Sequence, residues 1–253
     1  MEPVVSFREA VCLLGRFPAL AGVDLDVGAG EIVLLQGPNG AGKTTVLRAC
    51  AGLVPVVEGS ASVLGVDLRT DPKAVRHRVG LLGHHSGLYD DLTVADNVSF
   101  WTRAGRAGAS DARAAMARLG LDGRLADVPV ARLSAGQRRR TSLAVMVARR
   151  PELWLLDEPH AALDQDGRDV VDGLMVEAVA SGATVVFVSH EPDRAAAVAH
   201  RTVTIAGGMT AAQDPRSGAP VASAPDGDGP DPDLPDPDVS DPDVSDPVGE
   251  VVA

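Results

Sequence analysis

The sequence predicts an α/β fold with a mostly parallel sheet at its centre, and three observations carry that expectation. First, EIVLLQ (residues 31 to 36), LWLLDE (153 to 158) and ATVVFVSH (183 to 190) contain short, continuous apolar runs of the kind a parallel sheet buries on both faces. Second, helix-like stretches alternate with these runs, as in TTVLRACAGL from residue 44. Third, each run leads into chemistry: a glycine-rich loop follows the first, an acidic pair closes the second and a histidine closes the third. The carboxyl ends of strands are where an open α/β sheet places its ligands.

Composition divides the 253 residues near position 210. Residues 1 to 210 read as one globular domain, with a core from about Val4 to Thr210. From Ala211 to Ala253 the chain is rich in Pro, Asp, Gly and Ser and repeats itself in PDPDVSDPDVSDP. Such sequence buries too little apolar surface to offset its ordering entropy, so it reads as a disordered acidic tail, either a solvating extension or an interaction segment. The tail holds ten Asp, one Glu and one Arg, hence about −10 of the formal −12 charge, so the low pI says little about the domain's partners. Cys12 and Cys50 lack the spacing of a zinc site or a disulfide framework and read as buried free thiols of a reducing compartment. There is no basic-then-apolar leader, and no apolar run approaches the ~18 residues of a membrane span. A cytosolic chain is therefore expected, with any membrane role supplied by a partner.

GPNGAGKTT, residues 37 to 45, fits G-x-x-x-x-G-K-[ST] in full between a strand and a helix. In such a loop, here Gly37, Pro38, Asn39, Gly40, Ala41 and Gly42, the glycines let successive backbone N–H groups turn toward phosphate oxygens, Pro38 itself carrying none, and the start of the following helix adds partial positive charge. Lys43 reaches the β- and γ-phosphates, the Thr44 hydroxyl can ligate Mg²⁺, and Thr45 closes the motif. The chain has only two lysines, Lys43 and Lys73. A compact ammonium at position 43 suits a cradle that a planar guanidinium would crowd. ATP and Mg²⁺ are the ligands this implies.

The stretch ARLSAGQRRRTSLAVMVARRPELWLLDEPHAALD, residues 131 to 164, supplies a second half-site. Asp157, at its strand end, is positioned to hold Mg²⁺ through a water, and Glu158 to polarise an attacking water. LSAGQ opens a helix with Ser134 as its cap and Gly136 admitting a phosphate. With these residues in place the chain resembles the ABC-transporter ATPase family. LSAGQ is similar to its LSGGQ signature with Ala135 in place of a glycine, LLDEP to its Walker B, HAALD to its D-loop, and the ATVVFVSH strand to the one ending in its switch histidine, His190. The resemblance spans residues 4 to 208 in the family's order and spacing. It implies a P-loop NTPase (ABC ATPase) core with an N-terminal antiparallel β region and a helical subdomain inserted at about 88 to 142. It also implies a head-to-tail dimer in which Ser134, Gly136 and Gln137 serve the partner copy's nucleotide, Glu158 acts as base, and His190 touches the γ-phosphate and water. The chain carries one set of motifs and so needs a second copy of itself or another polypeptide.

LGHHSGLYDDLTVADN, residues 82 to 97, puts His84 where this family carries its Q-loop glutamine. A glutamine carbonyl ligates Mg²⁺ directly, whereas an imidazole must turn a nitrogen to the metal or leave a water there. A dedicated metal site of His84 and His85 is disfavoured, because adjacent residues on extended chain point apart and no third ligand stands at a known spacing. The LGH-x-x-GL stretch resembles the ATP-binding subunit of the haem exporter of cytochrome c biogenesis, the CcmA type. Leu14 falls about where an adenine-stacking aromatic is usual, and Phe17 is the nearest ring, either that stacking group or core. Arg138 to Arg140 read as a solvated helix face, the alternative being contact with the membrane partner or the nucleotide. The function implied is an ATPase subunit at the cytoplasmic face of the membrane, bound to integral membrane transporter subunits and driving haem export. The alternatives are an ABC-2 type drug or lipid exporter and a soluble ABC protein. The last needs a second ATPase domain or a long coiled-coil insertion, and no basic stripe marks a nucleic-acid partner.

Overall fold

The computed structural model describes residues 2–84 and 86–214, so His85 and all but the first four residues of the expected tail lie outside the described residues. The chain runs β1 (Val5–Leu14), β2 (Phe17–Val27), β3 (Ile32–Gln36), α1 (Lys43–Cys50), β4 (Val56–Val63), β5 (Val66–Asp67), β6 (Val79–Leu82), α2 (Val94–Ala104), α3 (Ala109–Arg118), α4 (Ala135–Arg149), β7 (Leu153–Asp157), α5 (Gln165–Ala180), β8 (Thr184–Val188), α6 (Pro192–Val198), β9 (Arg201–Ala206) and β10 (Met209–Asp214).

Two sheets form. The N-terminal one is antiparallel, in the order β2-β1-β4-β5. The central one has the order β10-β9-β3-β8-β7-β6; every neighbouring pair in it is parallel except β9–β10, the hairpin at one edge. The three apolar runs become adjacent strands β3, β8 and β7, and strand periodicity splits their side chains between two cores. Val33, Leu35, Leu153, Leu155, Val186 and Val188 pack with α1 and the antiparallel sheet. Ile32, Leu34, Trp154, Leu156, Val185 and Phe187 pack with the helices of the opposite face. A strand buried on both sides has no polar position to spare, which is why these runs show no alternation in sequence. Cys12 and Cys50 are free and fully buried in the first core.

α2, α3 and α4, which lie between β6 and β7 in the chain, pack on one another. α4 runs to Arg149, and Thr141, Leu143, Ala144, Met146 and Ala148 bury one face of it. The segment entering α2 is pinned by Asn97, whose fully buried amide exchanges hydrogen bonds with the Tyr89 backbone and donates to the Leu92 and Thr93 carbonyls. The boundary expected at residue 210 also moves: β10 pairs antiparallel with β9 as far as Asp214, so the first residues of the compositional tail belong to the sheet.

Candidate functional site

The glycine-rich loop turns from β3 into α1 at Gly42, which sits in the left-handed region at φ 107°. A Cβ there would lie 2.7 Å from the Ala19 carbonyl oxygen, so only glycine closes this turn. Lys43 is buried and donates from Nζ to the carbonyls of Gly37 (2.7 Å) and Pro38 (3.0 Å). An ammonium has three donors, so two hold it over the loop and the third is left for a ligand oxygen. The adjoining Thr44 hydroxyl donates to Asp157 Oδ2 at 2.9 Å, joining the start of α1 to the end of β7. A hydroxyl and a carboxylate at that separation form a hard-oxygen pair that suits Mg²⁺.

Glu158 follows β7 in a left-handed backbone conformation, φ 51°, uncommon for a residue other than glycine. Its N–H donates to the Val188 carbonyl of β8, and its Oε2 accepts from the backbone N–H of His190 at 3.0 Å. Oε1 is buried without a hydrogen bond, although His190 Nε2 lies 3.3 Å away, close enough for charge attraction without hydrogen-bond alignment. Burial raises the Glu158 pKa above the ordinary glutamate value, against the pull of the His190 N–H and ring and of Lys43. A carboxylate with raised pKa and an unsatisfied oxygen is a stronger proton acceptor than an exposed one.

These groups share one cleft of about 1190 Å³, whose lining includes Asn39 to Thr45, His84, Asp157, Glu158 and His190. Gly37 and Pro38 stand behind it and hold Lys43. Leu14, Pro18 and Ala19 line the cleft, whereas Phe17 does not and is 80% exposed, so aliphatic side chains form this part of the wall. Across the cleft α4 begins with a reciprocal cap: Ser134 Oγ accepts from the Gln137 N–H, and Gln137 Oε1 accepts from the Ser134 N–H. The Gln137 side chain is therefore committed to the helix start. Gly136 abuts the 158–164 segment so closely that a Cβ would lie 2.7 Å from the Ala162 carbonyl oxygen.

The ABC transporter family pattern matches residues 20–161, more than half of the chain. The chain belongs to the ABC transporter family. This ATPase is 40% identical over 197 residues to the cytochrome c biogenesis ATP-binding export protein CcmA of Paramagnetospirillum magneticum, covering 75% of this chain and 88% of that protein. With the CcmA of Nitrobacter winogradskyi it shares 41% identity over 185 residues, covering 72% and 88%. Among solved structures, a bacterial Atm1-family ABC exporter with ATP bound matches with TM-score 0.76 and 26% identity over 85% of this chain and 39% of that one. A dimeric ATP-binding cassette in a post-hydrolysis state bound to ADP and Pi matches in fold, with TM-score 0.74 and 24% identity over 83% and 98%.

Two features of the ATPase's site go beyond the sequence reading. Gly208 lines the cleft from the β9–β10 turn, donating to the Ala41 carbonyl and accepting from Ala21 N–H. The Gly207-Gly208 pair announces a turn but not its position against the phosphate loop. The solvated arginine face needs correction: Arg138 and Arg140 do pair at the surface with Asp90 and Asp164, but Arg139 turns inward. It lines the cleft and donates to the carbonyls of Gly83, Asp157, Glu158 and Pro159. Its burial lowers the guanidinium pKa, opposed by attraction from Asp157 and Glu158.

Proposed function

We propose that this ATPase powers haem export in cytochrome c biogenesis, acting as a head-to-tail pair of copies docked on integral membrane subunits at the cytoplasmic face. The observation that carries the catalytic part is the meeting of Lys43, Thr44, Asp157, Glu158 and His190 in one cleft. The loop N–H groups and Lys43 bind and orient the nucleotide phosphates. Thr44 and Asp157 would hold Mg²⁺, which supplies charge neutralisation at the phosphates. Glu158 takes a proton from the attacking water at its buried oxygen, while His190 fixes that carboxylate through its backbone N–H and stands at the γ-phosphate end. Phosphoryl transfer depends mainly on such positioning and electrostatics. His84 lines the same cleft; an imidazole is a poorer partner for a hard cation than the oxygens of Thr44 and Asp157, so its role is to link nucleotide to loop rather than to ligate metal.

The pairing of copies is supported by the capped start of α4, where Ser134 and Gly136 offer a polar helix terminus to a second nucleotide. A membrane partner is supported by the apolar surface next to the His84 loop. Tyr89 stacks on Trp101 at 5.9 Å and meets Phe100 edge-on at 5.3 Å, and Tyr89 and Phe100 remain 47% and 39% exposed. Haem export rests on the relatives named CcmA and on the LGH-x-x-GL loop. Glu158→Gln tests the mechanism: it should bind ATP, accumulate as a stable dimer on a sizing column and hydrolyse slowly. Full turnover would remove Glu158 as base. Identifying the integral membrane protein that co-purifies with the chain tests the cargo, and a drug- or lipid-exporter subunit in its place would overturn the haem assignment.

A further inference from the structure

We propose that Arg139 is a positioning residue for ATP hydrolysis, a clamp that fixes the catalytic turn, the signature helix and the His84 loop in one relation. The proposal rests on the reading of Glu158 as the base. Arg139 Nη1 donates to the Gly83 carbonyl at 3.0 Å, Nε to Pro159 at 3.3 Å, and Nη2 to Asp157 at 2.6 Å and to Glu158. Four carbonyls from two separate segments thus converge on one planar fork, which carries five N–H donors and cannot lose its charge.

The turn requires such a partner. A glutamate held at φ 51° is in a sparsely populated conformation that persists only where its surroundings over-determine it. The same peptide that delivers the Glu158 carboxylate to the cleft delivers its carbonyl to Arg139. Arg139 stands on α4 shortly after Ser134 and Gly136, and Gly136 already abuts the Ala162 carbonyl. α4 therefore meets the 157–162 segment at two points. Displacing the helix start moves the base, and the Gly83 bond carries the same displacement to the residue before His84.

The test compares ATP turnover and ATP binding of the full chain with R139K, R139Q, R139M and E158Q. R139M and R139Q should lower kcat by about 100-fold, the cost of a displaced catalytic group. KM and the directly measured Kd for ATP should stay within about threefold, the split expected when nucleotide binding is untouched. R139K, which keeps a cation and some donors without the fork, should recover about tenfold of the lost turnover. A merely structural role would scale with the fraction folded and leave kcat per bound nucleotide unchanged. If R139M fails to fold, R139K and R139Q carry the comparison. Normal turnover in R139Q beside an inactive E158Q would overturn the clamp, as would a loss confined to KM and Kd, which would make Arg139 a nucleotide contact. Full turnover in E158Q would remove the base reading and with it the purpose of the clamp, whatever R139Q does.

Discussion

Glu158 shows how burial can make a carboxylate more basic at the expense of the fold. Burial raises its pKa, so at neutral pH its ionised form is less comfortable folded than unfolded. The sign follows from linkage: the folded state holds its proton more tightly, so the penalty is absent below the unfolded glutamate range near ~4.3 and grows as pH rises through the folded value. Glu158→Gln should accordingly raise the unfolding midpoint at pH 7, with the gain shrinking to nothing as pH falls through that range; an unchanged midpoint at pH 7 would contradict this. Wild-type kcat should lose activity on its acid side above the ordinary glutamate range. The cysteines are the opposite case. Burial holds Cys12 up at about 11 and raises Cys50 as well, and both are fully buried. Neither thiol should react with an aromatic disulfide reagent in native buffer, and both should react on unfolding.

At the scale of elements, α4 joins the second core to the cleft: Leu143, Ala144, Met146 and Ala148 pack in that core, while Ala135, Arg139 and Ser142 line the cleft. Its start is fixed by the Ser134–Gln137 capping box, and Ser134→Ala should cost about 1 kcal/mol in a denaturant titration. Gln137→Ala should cost less, because it removes only the return bond. Gly136→Ala forces its new methyl group against the Ala162 carbonyl and should slow hydrolysis and reduce ATP-dependent pairing on a sizing column; unchanged turnover would contradict that. Much of α4 was legible in sequence, since a serine cap before a periodic apolar helix is a local signal. Which of its three arginines turns inward was not, because that depends on carbonyls from Gly83 and from 157–159, far away along the chain.

Among the described residues, two cores share one mostly parallel sheet, and the cleft lies at the ends of β3, β7 and β8. A chain cut after Asp214 keeps every strand of that sheet, and should retain the unfolding midpoint and ATP turnover of the full chain while shedding most of its negative charge. A large fall in either would give the acidic segment a role in the domain. The sequence alone determined the phosphate loop, the acidic pair, the capped signature and the buried strands. Each is written in neighbouring residues, where glycine permissiveness, helix capping and strand burial act locally. Only the tertiary structure decided that Leu14 and not Phe17 faces the cleft, that Gly208 closes on the phosphate loop, and that Arg139 is spent inside. These depend on which surfaces meet once the chain has folded, and a polar side chain's burial is set by partners that no local pattern encodes.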